Sequence, residues 1–367
     1  MLKGKKMFVR VLCLTMCLAL ALLAGCGGSE NASSAAPAGD SAAPSTTPDL
    51  GKVSIRISAC NSLEHPQTLG LLVMKDYVES KTGGNVSVEV FPNSQLGAER
   101  ESVEQVKNGT LEMATASIGP ITTFCDKFMV LDIPFMFDSY EEAWMVLDSQ
   151  AGWDLFNQLE AENLKGLAWM ENGFRHVTNS VKPINSVADF KGLKIRTMEA
   201  PMHMANFQAL GANPTPVPFS ELYMAMSQKI VDGQENPLAN IWDLKMNEVQ
   251  KYVTLSKHLY DSMPLVTNLE WYNKLPSEYQ TVISEGALLG QNYSRFVNAA
   301  REEAIIAKLT DLGMEFNELS PEAKAEMVSI SQTTVSDKVK AEIGEDYVNK
   351  FMDAMNAAKA EILLGVE

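Results

Sequence analysis

Two arginines, Arg175 and Arg196, are the side chains best placed in this sequence to do chemistry on a small solute. Arg175 follows Gly173-Phe174 after the apolar run Leu167-Ala168-Trp169, and Arg196 closes the strand-like run Leu193-Lys194-Ile195. A guanidinium keeps its charge and presents a planar fork of N–H donors that matches both oxygens of a carboxylate. Forty residues beyond Arg196, the polar turn Gln234-Glu235-Asn236-Pro237 opens a helix and offers the Asn236 amide to the same anion. Each feature alone has a plainer reading. An arginine at a strand end is usually a surface ion pair worth about 0–1 kcal/mol, and an Asn before Pro usually caps a helix. The chemistry open to the set is capture of an anion. Turnover would need further parts, and the chain has no G-x-S-x-G, no H-E-x-x-H and no P-loop. Its four histidines (His65, His176, His203, His258) show no metal-ligand spacing, so neither a metal nor a cofactor is expected.

These residues need rigid elements to hold them, and the pattern of the chain supplies candidates. Val53, Ile55 and Ile57 alternate with polar residues as in a strand, a helix starts at Pro66 and stops at Gly83-Gly84, and Val86 to Val90 is a second strand. Ala98 to Asn108 reads as a helix, and Leu111 to Ala116 as a third strand. This β-α-β-α-β order predicts parallel sheets covered by helices, with ligands at the carboxyl ends of the strands. Glu64 and Ser117 sit just past two such ends and join the candidate list. Ser139-Tyr140-Glu141-Glu142 reads as a capping box. A second α/β unit follows Arg175: a strand from Leu193 to Arg196, a helix from Met202 to Leu210, a strand from Pro216 to Phe219, and a helix capped by Ser220. Leu265 to Leu269 looks like a strand returning to the first sheet, and Pro276 to Leu312 like one helix of about 35 residues, roughly 50 Å long. A strut of that length calls for two lobes. Two amphipathic helices, Pro321 to Val339 and Asp346 to Leu364, close the chain. The methionines around Met198 and Met224 read as core filling.

The chain begins with Lys3, Lys5, Lys6 and Arg10 and runs into an apolar segment ending Leu23-Ala24-Gly25-Cys26. That segment is shorter than the ~20 residues a spanning helix needs, so it reads as a leader. The small residues before Cys26 look like a bacterial lipobox, which implies cleavage before Cys26 and lipid on its thiol. Residues 27–51, rich in Gly, Ser, Ala, Pro and Thr, form a flexible tether. Cys13 and Cys17 leave with the leader, and spacing does not decide whether Cys60 and Cys125 pair. The formal charge is −16, or −20 without the four basic residues of the leader, which argues against nucleic acid as a partner. An acidic protein still binds an anion if its donors are local, because screening limits their reach to about 8 Å at physiological salt.

In order along the chain stand Gln95-Leu96-Gly97, Asp132-Ile133-Pro134-Phe135, Gly173-Phe174-Arg175-His176, Pro183-Ile184, Asp189-Phe190-Lys191-Gly192-Leu193-Lys194-Ile195-Arg196, Gly211-Ala212, Pro216-Val217-Pro218-Phe219-Ser220-Glu221-Leu222-Tyr223 and Val231-Asp232-Gly233-Gln234-Glu235-Asn236-Pro237. This series resembles the solute-binding proteins of tripartite ATP-independent periplasmic (TRAP) transporters, the C4-dicarboxylate-binding DctP type, over nearly everything after Gly51. The resemblance implies a two-lobed periplasmic-binding-protein-like α/β fold, each lobe a sheet flanked by helices, joined by crossing strands and a long spanning helix. The expected division is a leader over residues 1–25 and a tether over 26–51. Lobe I takes 52–172 with about 263–300, and lobe II 173–262 with about 301–364. It implies a lipid-anchored, monomeric, extracytoplasmic receptor that binds an organic acid and delivers it to small and large TRAP membrane subunits. Arg196 would be the main carboxylate clamp, Arg175 a second donor, Asn236 an amide donor and Phe219 part of the wall. Many members follow the clamp arginine with Val-Pro, whereas this chain reads Arg196-Thr197-Met198-Glu199-Ala200-Pro201. The acid is therefore left open among a C4-dicarboxylate, a sugar acid and a hydroxy or amino acid. Two other classes stand beside this reading: a lipid-anchored extracellular hydrolase and a sensory module without transport.

Overall fold

The computed structural model describes residues 50–363, with side chains as far as residue 360. The leader, Cys26 and nearly all of the expected tether lie outside the described residues. The chain starts with β1 (Val53–Ser58), α1 (Pro66–Lys81), β2 (Val86–Phe91), α2 (Glu99–Lys107) and β3 (Met113–Thr115), the alternation read from the sequence. Ile55 and Ile57 on β1 are fully buried. Helix α1 is opened by Pro66, with His65 Nδ1 accepting from the Gln67 N–H at 3.3 Å. Gly83 and Gly84 follow its end in the left-handed region, at φ 59° and 80°. Next come α3 (Ile118–Ile121), α4 (Tyr140–Asp148), α5 (Gln150–Gln158) and β4 (Leu164–Asn179), then β5 (Lys194–Thr197), α6 (Pro201–Ala209), β6 (Asn213–Pro216), α7 (Leu222–Ser227), β7 (Gly233–Pro237) and α8 (Leu238–Asp243). The last third holds β8 (Tyr252–Asn268), α9 (Leu269–Asn273), α10 (Ser277–Asp311), β9 (Glu315–Asn317), α11 (Pro321–Ile343) and α12 (Glu345–Leu363). Among the described residues no helix is long and apolar enough to cross a membrane.

The nine described strands form one mixed sheet in the order β2-β1-β3-β8-β4-β7-β5-β6, with β9 beside β8. Strand β1 lies parallel to β2 and β3, and β5 lies parallel to β6 and β7. The long strands β4 and β8 run antiparallel through the middle and carry one parallel cluster at each end. The two expected parallel units are present, and the crossing strands that join them, β4 and β8, make the whole one mixed sheet. Only the ends of β4 and β8 were visible as apolar runs, because their middles carry Glu171, Asn172, Arg175, His176, Ser256, His258 and Asp261, all buried. Such residues erase the period-2 pattern by which strands are recognised.

Helix α10 crosses α1 with backbones in near contact. A Cβ on Gly70 would lie 2.4 Å from the Gly290 carbonyl oxygen, and one on Gly290 would lie 2.5 Å from that of Gly70. Its polar side chains also satisfy β4, with Gln291 Oε1 accepting from the Trp169 N–H at 2.7 Å and Ser294 Oγ from the Glu171 N–H at 3.1 Å. The β4–β8 register slips next to these positions, between Glu171 and Gly173. The helix therefore supplies partners where the ladder loses them.

Three local expectations change. Ser139 accepts from the Glu142 N–H at 3.2 Å, but the Glu142 carboxylate accepts from the Asp138 N–H at 3.0 Å and so caps one residue earlier. Ser220 lies inside a tight turn, Phe219–Glu221, and the helix starts at Leu222. Gln234 to Pro237 is strand, not turn, which puts Asn236 in β7 rather than at a helix cap.

Candidate functional site

Arg196 stands near the carboxyl end of β5 and is 1% exposed. Its Nε donates to the Val217 carbonyl at 2.7 Å, while its buried Nη1 has no partner among the described residues. Burial pulls its pKa down to about 10; Arg175 adds to that, and Glu235 and Glu99 oppose it. The result is a charged fork in a dry setting with one short anchor. Few arrangements favour an incoming carboxylate more strongly.

Arg175, on β4, is fully buried and differently engaged. Its Nε donates to Glu235 Oε2, its Nη2 to Glu235 Oε1 at 2.8 Å and to the Glu235 carbonyl at 2.6 Å, and its Nη1 to Asp261 Oδ2 at 2.8 Å. Burial works against the Arg175 charge, but Glu235 and Asp261 outweigh it and hold the group above the ordinary arginine value. For Glu235 burial works upward, and Arg175, His203 and His258 carry it well below the carboxylate range. His203 stands on α6 with Nε2 3.2 Å from Asp132 Oδ1 and Nδ1 3.6 Å from Glu235 Oε1. Burial lowers its pKa, yet Asp132 and Glu235 prevail and raise it to about 9, so the imidazolium persists at neutral pH.

Strand alternation sorts these groups. Ile195 pairs with Gly233 and Val177 with Glu235, so Arg196, Gln234 and Asn236 fall on one side of the sheet and Arg175 and Glu235 on the other. Asn236 is buried and its Nδ2 donates to Gln234 Oε1. Phe219, also buried, lies two residues past Val217, the carbonyl partner of Arg196. Ser117 stands just before α3 without a side-chain cap bond, and its N–H donates to Glu99 Oε1 at 2.7 Å. Through Glu99 it reaches Arg196, whose charge offsets part of the upward push that burial gives the Glu99 pKa. Glu64 lies apart: its side chain is exposed, its carbonyl accepts from Arg301 Nη1 at 3.0 Å, and no hydrogen bond or ion pair joins it to Arg196. Glu199 is half-buried. Cys60 and Cys125 are separate buried thiols, and Cys60 lies close enough to Glu99 and Arg196 to feel both charges.

Sequence reasoning missed Glu99, Asp132, His203, Glu235 and Asp261 as parts of this network. Glu99 fell within the expected helix Ala98 to Asn108 without a role of its own, and Glu235 was only a neighbour of Asn236. Asp261, 86 residues from its partner Arg175, had no local signal at all.

The two ends of the sheet also meet at the site. Ser62, between β1 and α1, donates its N–H to Asp243 Oδ2 of α8 at 3.0 Å, and Asn240 Nδ2 donates to Asn61 Oδ1 at 3.2 Å. Gly119 of α3 approaches the segment after Arg196 so closely that a Cβ would lie 2.9 Å from that of Ala200.

A family model described as bacterial extracellular solute-binding protein, family 7 (DctP), matches residues 57–342. The 2,3-diketo-L-gulonate-binding periplasmic protein of Escherichia coli is 34% identical over 270 residues, which is 74% of this chain and 82% of that protein. A sugar acid binding protein from Advenella mimigardefordensis, solved in complex with galactonate, superposes with a TM-score of 0.81 at 32% identity, over 84% of this chain and 99% of that one. A TRAP periplasmic solute binding protein from a Polaromonas species, bound to D-erythronate, gives a TM-score of 0.77 at 33% identity, over 82% of this chain and 98% of that one.

Proposed function

We propose, from the premise that this chain belongs to the DctP family of bacterial extracellular solute-binding proteins, that it is an extracytoplasmic TRAP receptor that grips a hydroxylated organic acid by its carboxylate. The observation that carries the reading is the Arg196 guanidinium, buried to 1% exposure with Nη1 unpartnered among the described residues. Arg196 is the carboxylate clamp, Asn236 an amide donor on the same side of the sheet, and Phe219 part of the wall. Arg175 contributes positive charge from behind, and Ser117 orients Glu99, while Glu64 has no part in the grip. A micromolar dissociation constant is roughly 8 kcal/mol, and charge-assisted hydrogen bonds are worth about 1.5–3 kcal/mol each. A few such bonds in a closed cleft suffice.

The class of acid follows from the charges. A second ligand carboxylate would need a second free cation, and Arg175 is already held by Glu235 and Asp261. Glu99, by contrast, is an acceptor beside Arg196, suited to a ligand hydroxyl. The acids in the E. coli, Advenella and Polaromonas relatives have that chemistry. Two lobes, 52–172 with about 263–300 and 173–262 with about 301–364, close on the ligand by rotation in β4 and β8. A lipid on Cys26 keeps the receptor at the membrane, where it hands the acid to TRAP membrane subunits. The activity is binding, without turnover.

A thermal-shift panel of galactonate, erythronate, gulonate and succinate tests this. A bound acid at 100 times its dissociation constant adds about 2.7 kcal/mol to stability. A hydroxy acid is expected to give the largest shift. A panel without any shift, or one led by succinate, overturns the assignment.

A further inference from the structure

A cavity of about 370 Å³ lies between α1, α8 and α10, and the only residue it shares with the candidates above is Glu64. Its floor and walls are apolar: Pro66 and Leu69 of α1, Ala239 and Trp242 of α8, and Ile305 of α10. Two cations stand at its rim. Arg301 and Lys308 share one face of α10 with Ile305, at the i, i+4, i+7 spacing. Neither has a carboxylate partner among the described residues: Arg301 Nη1 donates to the Glu64 carbonyl at 3.0 Å, and Lys308 Nζ stands 5.1 Å from the centre of the Trp242 ring. In a chain of net charge −16, two unpaired cations flanking one apolar groove are conspicuous.

The third polar group is His65, 2% exposed, on the groove lining. Its Nδ1 accepts from the Gln67 N–H, so the proton of the neutral ring sits on Nε2. Burial, aided by Arg301 and opposed by Asp243 and Asn240, lowers its pKa to about 4, which keeps the ring neutral. Nε2 lies near the Asn240 amide group, which favours the protonated ring, but neither Nε2 nor the Asn240 oxygen has a well-aligned hydrogen bond among the described residues. A buried N–H donor held this loosely gains from a better-aligned acceptor.

We propose that this groove is a second anion site, separate from the Arg196 cleft, that takes a small monocarboxylate with a flat or aliphatic body. The carboxylate lies between Arg301, Lys308 and His65 Nε2, and the body lies on Leu69, Ile305 and the Trp242 face. The volume falls within the range of small-molecule sites, about 300–1,000 Å³. The exposed Glu64 carboxylate at the rim disfavours a dianion. Because α8 is tied to the β1–α1 loop through Asp243 and Asn240, a ligand bridging α1, α8 and α10 braces both ends of the sheet. Its binding and that of the organic acid are then coupled, each changing the other's affinity by the same factor.

Benzoate is the probe, titrated into the whole protein while the methyl resonances of Ile305 and Leu69 are followed by NMR. Saturable shifts with a dissociation constant at or below about 1 mM are expected, a binding free energy near 4.1 kcal/mol. Arg301→Ala combined with Lys308→Ala weakens benzoate at least tenfold and leaves the circular dichroism spectrum and organic-acid binding in place. Arg196→Ala leaves benzoate binding unchanged. The proposal is overturned if the methyl shifts do not saturate by 10 mM, or if Arg196→Ala abolishes them while the double variant keeps them. The first result means that the groove binds no such anion, and the second that benzoate enters the Arg196 cleft.

Discussion

Replacing each buried arginine by methionine should change stability very differently, although the two side chains look alike in the sequence. Arg175 is bonded to Glu235 and Asp261 with all three groups fully buried. Arg175→Met removes the counter-charge of Asp261 and leaves Glu235 only its histidine neighbours, and breaking a buried pair in this way costs about 3–5 kcal/mol. Over the described residues 50–363, an unfolding entropy of about 2.1 cal/mol/K per residue converts that loss to a fall in Tm of roughly 5–8 °C. For Arg196, burial lowers the pKa from 12.5 to about 10, a charge-burial cost of about 3 kcal/mol at neutral pH. Arg196→Met removes that cost together with one charge-assisted bond to Val217 worth about 1.5–3 kcal/mol. The net change runs from neutral to about 1.5 kcal/mol stabilising. Ligand-free protein would be unfolded by urea and by heat, with circular dichroism as the readout. A loss above 3 kcal/mol in Arg196→Met would mean that Arg196 is held by the protein as Arg175 is. An Arg175→Met variant within about 1 kcal/mol of wild type would refute the buried network, since surface pairs are worth no more.

Three further outcomes are expected. His203, whose folded pKa is raised from 6.5 to about 9, contributes stability that is fully present below pH 6.5 and lost as pH rises through about 9, about 3 kcal/mol in all; His203→Gln should flatten stability between those limits, and an unchanged pH profile would contradict the Asp132–His203–Glu235 bridge. Cys26→Ser should release the protein from the membrane and abolish palmitate incorporation, and equal labelling of wild type and variant would remove the lipid anchor from the account. Saturation with a confirmed organic acid should reduce the radius of gyration in solution scattering, because closing strands at a hinge shifts an open population to a closed one; an unchanged radius would argue for a rigid pocket.

Wherever one residue's neighbours along the chain carried the signal, the sequence was legible. The start and end of α1 follow from Pro66 and Gly83-Gly84, and α10 spans Ser277 to Asp311 against an expected Pro276 to Leu312. The buried polar middles of β4 and β8 hid their length, since a strand lined by Glu171, Arg175, His258 and Asp261 loses its apolar alternation. Asn236 was placed in a turn because Pro237 is an equally good end to strand β7. At the site, Arg175 and Arg196 could be nominated as equals by residue type alone. What separates them is long-range pairing with Glu235 and Asp261, residues 60 and 86 positions away, which nothing local announces.

The most direct test is isothermal calorimetry on Arg196→Ala and Arg196→Lys with one acid confirmed by the thermal-shift panel, each variant first shown to be folded. Truncating one member of a buried charge pair costs about 2–5 kcal/mol, so Arg196→Ala should weaken binding well over tenfold. Arg196→Lys should also weaken it, because lysine keeps the charge and loses the fork. Asn236→Ala, which removes one donor among several, should cost less than Arg196→Ala. Binding by Arg196→Ala within a factor of about three of wild type, less than the tenfold that 1.4 kcal/mol gives, would contradict the account and place the carboxylate clamp elsewhere.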